Sequence, residues 1–198
     1  MPTLRPARTT ATKHKLFAAA LELIGDRGPA EVTVDEIAAR AQVAKGTIYY
    51  NFGSKDGLID ALLRHGVGLL ADRLHQAELE TKPLPSVEQL VDGALSFFAE
   101  YPTFAQLLLS EMWRTPGQWH ETMALLRDSI TSIFKQVIRR LDDAGHLPRG
   151  TEADTAAAAL FGTLVVVTLD WITFRPERTK DEVRESVMSL VLGFTGRT

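Results

Sequence analysis

The stretch Thr33-Val34-Asp35-Glu36-Ile37-Ala38-Ala39-Arg40-Ala41-Gln42-Val43-Ala44-Lys45-Gly46-Thr47-Ile48-Tyr49-Tyr50-Asn51-Phe52 decides how this chain folds. Thr33 with Glu36 three residues on forms a capping box, so a helix starts there. Its apolar face is Val34, Ile37, Ala38 and Ala41. A turn over Ala41 to Ala44 leads into a short helix from Lys45 to about Phe52. In that second helix Ile48 and Phe52, four apart, anchor the inner face, which spreads Lys45, Thr47, Tyr49 and Tyr50 around the rest. A helix-turn-helix needs a small packed first helix and a second one exposed enough to enter a DNA major groove. Gly46 costs about 1 kcal/mol relative to Ala in a helix, which makes sense where a DNA backbone comes close. Tyrosine hydroxyls and lysine amines donate to phosphate oxygens and so set register.

Residues from about Thr10 to Leu62 resemble the DNA-binding domain of the TetR family of repressors. The resemblance rests on Thr33-Val34-x-x-Ile37-Ala38, followed by Val43-x-Lys45-Gly46-Thr47-Ile48-Tyr49-x-x-Phe52-x-Ser54-Lys55-x-x-Leu58. It implies an all-α protein of nine helices: a three-helix DNA-binding domain, then a helical ligand-binding and dimerisation domain. The expected partners are double-stranded operator DNA with a palindromic site, a second copy of the chain, and a small hydrophobic effector. Phosphate contacts are implied at Thr47, Tyr49 and Lys55, with Lys45 and Tyr50 near the groove floor; Thr33 and Gly46 complete the expected DNA-binding set. Ala44 departs from the pattern, since the family often has a hydroxyl there, and one possible phosphate donor is lost.

Working outward, residues 1–9 read as an arm with two prolines. Leu16, Phe17, Ala20, Leu23 and Ile24 recur at helical spacing over 10–26, and Gly28-Pro29 closes that helix. Gly53-Ser54 breaks the short helix, and Ser54 caps a fourth one running through Leu58, Leu62, Leu69 and Leu74 toward Thr81. Pro83 and Pro85 punctuate the chain. Five further helices are expected: the fifth capped by Ser86 with Gln89, the sixth over 103–114, the seventh over 118–144 with Gly145 at its C-terminal cap, the eighth over 152–174 and the ninth over 180–194. The domain reading is 10–66 for the DNA-binding part, with its helix-turn-helix at 33–52, and 67–198 for the rest. Gly66 and Gly68 inside the fourth helix admit a bend there, or close packing against the first helix.

The remainder carries no comparable signature. Phe97, Phe98, Phe104, Trp113, Phe134 and Trp171 cluster on helices five to eight, as core or as the lining of an effector pocket. The eighth helix is apolar on both faces, so it is buried either within one subunit or against a partner. With the ninth helix it suggests a four-helix dimer interface at Leu160, Phe161, Val165, Val166, Leu169, Val187, Leu190 and Phe194. Glu111 and Asp170 sit among apolar residues and either meet a ligand's polar end or a cation, or pair with Arg114 or Arg175.

The net charge of −3 hides a polarity. Residues 1–55 hold eight Lys/Arg against five Asp/Glu, and residues 56–198 fourteen against twenty. A basic end on an acidic body suits a nucleic-acid contact at one end, or a solubilising tail. There is no cysteine, hence no disulfide, thiolate metal site or thiol nucleophile. The five histidines show no metal spacing, and no Gly-rich phosphate loop or Gly-x-Ser-x-Gly is present, so no enzyme, cofactor or metal is expected. A DNA binder without a ligand is the nearer rival. The uncharged stretch 155–169 is too short to span a membrane, and with no signal peptide visible a cytoplasmic protein is expected.

Overall fold

The computed structural model describes residues 5–112 and 120–195, with side chains described at 10–77, 79–111, 121–191 and 193. These residues form α1 (Arg5–Arg27), α2 (Val34–Arg40), α3 (Lys45–Phe52), α4 (Lys55–Leu79), α5 (Pro83–Glu100), α6 (Pro102–Met112), α7 (His120–Asp143), α8 (Ala153–Phe174) and α9 (Lys180–Thr195). No strand occurs among the described residues. The all-α, nine-helix architecture is the one the periodicity and the resemblance predicted.

Local chemistry sets the starts and stops of the head. At α2, Thr33 Oγ1 accepts from the Glu36 N–H, and the Glu36 carboxylate accepts from the Thr33 N–H at 2.9 Å. Two of the donors a helix start leaves unpaired are thereby satisfied. Ser54 Oγ does the same for α4 by accepting from the Gly57 N–H at 2.9 Å. The head buries Leu16, Ala20, Ile37, Ile48, Leu58 and Leu62 in one core. Each of the leucine and isoleucine side chains contributes roughly 1.5–3 kcal/mol of burial before entropy is counted.

The 25-residue α4 is continuous, so it serves both the head and the body. It packs on α1 and α3 of the head and on α5 and α7 of the body. α8 lies against α5 and α7, and α9 against α5. α6 reaches across to α1, where a Cβ on Gly25 would stand 2.8 Å from the Thr103 methyl. Phe104 of the same helix sits over Gly66 of α4, where a Cβ would fall 2.3 Å from its ring. Of the two alternatives, a bend or close packing on the first helix, Gly66 is a packing residue, but its neighbour is Phe104 of α6. Arg140 of α7 donates to the Glu80 carbonyl at 2.9 Å and so holds the far end of α4.

α7 ends as predicted at Gly145, with φ +71°. The Gly145 N–H donates to Asp142 O and the His146 N–H to Leu141 O, at 2.8 and 2.9 Å. This is the paired closure that a left-handed residue after a helix permits.

Three expectations are corrected. The backbone is already helical at Arg5, so residues 5–9 belong to α1 and not to the expected arm, Pro6 being tolerated in a first turn that lacks partners. Ser86 does not cap α5, which starts at Pro83; it is buried and its Oγ donates to the Ala77 carbonyl at 2.6 Å, tying α5 to α4. By length and composition α8 is apolar enough to cross a membrane, although the uncharged stretch 155–169 suggested otherwise; a third of its apolar window is buried inside the subunit.

Candidate nucleic-acid interface and effector-binding region

Ile48 is fully buried, and Phe52 packs on Phe17 with ring centroids 5.8 Å apart, so α3 is held by the two residues its spacing nominated. Lys13 Nζ lies over the Phe52 ring, 5.9 Å from its centroid. The opposite face is open: Tyr50 is 87% exposed and Tyr49 47%. A methyl group added to Gly46 would meet no protein atom within 4 Å. Packing inside the protein therefore does not account for the glycine, although Ala would favour the helix by about 1 kcal/mol. Thr47 lies beside Gly46, partly exposed, its carbonyl accepting from Asn51 Nδ2 at 2.7 Å.

The cations of the expected set are arranged differently from one another. Lys45 Nζ meets Asp35 of α2 at 2.8 Å, and this hydrogen bond raises the lysine above its ordinary value. The pair is exposed, so it orients the ammonium more than it stabilises the fold. Lys55 Nζ instead donates to three carbonyls of the α1–α2 loop, Pro29 at 3.1 Å, Ala30 at 3.3 Å and Val32 at 3.0 Å. An ammonium has three protons, and all three point into the protein. Thr33 acts through its cap: its hydroxyl, then its N–H, then Arg27 at 2.9 Å hold the Glu36 carboxyl at about 2.

In the body the predicted aromatic residues come together, but on one another. Phe97, Phe98, Phe104 and Phe134 are buried. Phe97 meets Phe104 edge-on at 5.9 Å and Phe98 at 5.5 Å; Phe134 meets Phe161 edge-on at 5.6 Å. They form a packed aromatic core, with Phe161 linking its two halves. Trp171 stands apart, its Nε1 donating to the Arg178 carbonyl at 2.8 Å to brace the α8–α9 connection. Trp113 lies outside the described residues. Asp170 pairs with Arg175 at 3.4 Å, the plainer of the two alternatives. Glu111 is buried.

The expected dimer set divides. Leu160, Phe161, Val165 and Val187 are buried within the subunit, so an outer interface does not include their side chains. Val166 is 54% and Leu190 59% exposed, and Leu169 is partly exposed. Phe194 lies in α9, its side chain outside those described. Between α7, α8 and α9 a cavity of about 460 Å³ is walled almost wholly by apolar side chains, among them Leu160, Val187 and Leu190. Of the predicted effector residues, those described (Phe97, Phe98, Phe104, Phe134 and Trp171) do not line it.

Sequence reasoning missed the link between head and body. Thr122 of α7 donates its hydroxyl to Asp60 of α4, and Arg64 donates to Asp60 at 2.8 Å and to Thr122 at 3.1 Å. Asp60 and Arg64 carry the spacing of a helical ion pair, but nothing in the sequence marks a partner sixty-two residues away. His14 of α1 likewise meets His65 of α4 at 5.3 Å between ring centroids, where burial and then the neighbouring histidine push His65 below its ordinary value.

A capped helix-turn-helix with an open tyrosine face, carried on a larger helical body, defines a DNA-binding regulator of transcription. Residues 16–62 match the bacterial regulatory proteins of the tetR family, and residues 82–194 match the tetracyclin repressor-like C-terminal domain; the chain belongs to the TetR family. Its relatives are regulators and not enzymes. The chain is similar to the HTH-type transcriptional regulator SrpR of Pseudomonas putida, 24% identical over 195 residues, which cover 94% of this chain and 84% of that protein. It shares its fold with the fatty acid degradation regulator FadR of Bacillus halodurans at a TM-score of 0.83 and 20% identity, over 94% of this chain and 97% of that one. It also shares the fold of FadR of Bacillus subtilis, solved in complex with stearoyl-CoA, at a TM-score of 0.80 and 19% identity, over 93% and 99%.

Proposed function

We propose that this protein is a cytoplasmic repressor that binds a palindromic operator as a homodimer and is released by a small hydrophobic effector. The observation that carries the reading is the outer face of α3. Two tyrosines are held in water on an eight-residue helix, beside a glycine that the fold does not require. Thr33, Lys45, Gly46, Thr47, Tyr49 and Tyr50 are the DNA-contacting set, while Lys55 braces the loop behind them.

The exposed Val166 and Leu190, with the partly exposed Leu169, give α8 and α9 an apolar outer face that a second copy covers. A two-fold pair presents two copies of α3, which reach successive major grooves when about 34–36 Å apart, and such a pair reads an inverted repeat. The same need to cover α8 accounts for its apolarity without a membrane. For the effector, the support is the apolar lining of the open space in the body and the acyl-CoA bound by a protein of the same fold. A hundredfold release from DNA needs about 2.7 kcal/mol of coupling, within the range known for allostery.

The test is to select bound duplexes from a random pool and measure their affinity by fluorescence anisotropy. The expected result is an inverted repeat bound by a dimer, with affinity lost in Tyr49→Phe and Lys45→Ala. A selected site without two-fold symmetry, or full affinity in both variants, overturns the reading.

A further inference from the structure

We propose that the cavity between α7, α8 and α9 binds an apolar small molecule, and that its mouth is closed by the second subunit, so that ligand and dimer stabilise each other. This rests on the dimer and effector reading given above.

The volume of about 460 Å³ lies within the range of small-molecule sites, roughly 300–1,000 Å³, and far exceeds the voids left by ordinary packing. Its floor is core: Ile138 and Leu141 of α7, Leu160 of α8 and Val187 of α9 are all buried. Its rim is surface, since Pro148, Ala159 and Leu190 are exposed. The space therefore runs from solvent into the hydrophobic interior. A cavity with such walls gains little from water, which needs polar partners, and is open to an apolar guest.

The chemistry of the walls fixes the class of guest. Among the described residues no charged side chain lines the cavity, and the hydroxyls present there are those of Thr151 and Thr163. Thr151 already donates to the Pro148 carbonyl at 2.7 Å. A buried carboxylate or phosphate would have no counter-charge here, so the bound portion is uncharged hydrocarbon, with any charged end left outside the mouth. Side chains of α8 keep the space open: Ala156 and Ala159 line it where larger apolar residues would fill it.

The second subunit closes the cavity and does not fill it. Leu190, at the rim, is exposed, as is Val166 of α8. The floor belongs partly to α7 and one wall to the α7–α8 connection at Leu147, which lie off the α8–α9 face. A subunit laid on that face meets the rim first. Anything bound beneath is then shielded by both chains, and binding and association become linked.

The full-length protein is titrated with the fluorescent fatty acid cis-parinaric acid, and separately photolabelled with a diazirine-bearing palmitic acid whose attachment is mapped by mass spectrometry. Two variants, Ala156→Phe and Leu147→Trp, fill the space, with sedimentation and thermal unfolding confirming that they remain folded dimers. The expected result is one probe per chain, labelled peptides within 138–163 and 187–191, and affinity reduced by about tenfold or more in each variant. Probe affinity also falls when the dimer is diluted to monomer. Unchanged affinity in both variants, label confined to 97–104, no saturable binding, or affinity indifferent to dissociation each overturns the proposal. Operator binding separates it from the effector reading. Release from DNA that survives in the filled variants overturns this site and keeps the effector; a probe lodged here that leaves DNA affinity unchanged keeps the site and overturns the effector.

Discussion

Phe104 of α6 lies against Gly66 of α4 so closely that no side chain fits at position 66. Two residues on, Gly68 is exposed and a methyl there would meet nothing within 4 Å. The pair separates helix propensity from packing. Gly68→Ala is expected to stabilise the protein by about 0.5–1 kcal/mol through the helix term. Gly66→Ala gains the same term but forces the Phe104 ring aside, and overpacking of about 1–3 kcal/mol outweighs it. Urea unfolding of the two variants is expected to move the midpoint in opposite directions. A rise in both would mean that the α4–α6 contact yields freely.

On DNA, Tyr49→Phe and Lys45→Ala are each expected to weaken operator binding by about 1–3 kcal/mol, the scale of hydrogen bonds to charged groups. Neither lies in the core, so unfolding midpoints should stay within about 0.5 kcal/mol of the parent. Anisotropy on the selected operator, paired with thermal unfolding, checks both halves.

Lys55 should behave differently, because its ammonium is occupied by Pro29, Ala30 and Val32. Lys55→Met is expected to cost roughly 1–2 kcal/mol of stability, as three carbonyls lose a charged donor at a partly exposed site. A phosphate contact would change the slope of log affinity against log salt by about 0.9; with the clamp, the slope should shift by less than about half of that. A full unit of lost slope would return Lys55 to the phosphate role that the resemblance implied.

Charge placed on α8 and α9 should distinguish outside from inside. Val166→Glu and Leu190→Glu are expected to yield folded monomers by sedimentation, since both positions are exposed in the subunit. Leu160→Glu and Val165→Glu bury an unpaired charge and should yield unfolded or insoluble protein. Monomers from the second pair, or intact dimers from the first, would contradict the division.

Two capping carboxylates set an acid limit. Glu36 is held at about 2 by the Thr33 hydroxyl and N–H and by Arg27; Glu152 is held at about 2 by the Thr155 hydroxyl and then the N–H groups of Asp154 and Thr155. Both fall from an ordinary 4.5. A folded value below the unfolded one gives a contribution that is complete above about pH 4.5 and is lost as pH falls toward about 2. Thermal unfolding from pH 6 to about pH 2.5 should show a falling Tm, with a shallower fall in Glu36→Gln combined with Glu152→Gln. An identical slope in the double variant would remove the caps as the cause.

The sequence by itself determined whatever depends on residues a turn or two apart. Thr33 with Glu36, Ser54 before Gly57, and Gly145 after α7 mark helix ends because their partners lie within a few positions. Ile48 and Phe52 could be given the inner face of α3 because a helix has only one period. The tyrosine face of the candidate site was legible for the same reason. Tertiary structure decided the rest. α8 is apolar all round, so its sequence prefers no face, and only packing against α5 and α7 turned Leu160, Phe161 and Val165 inward and left Val166 outside. The aromatic residues could not be divided between core and pocket, because hydrophobicity is not directional; Phe97, Phe98 and Phe104 closed on one another, and the open space formed elsewhere. Lys55 and Asp60 found partners 23 and 62 residues away, and such pairings are chosen by how the helices cross, which no local pattern records.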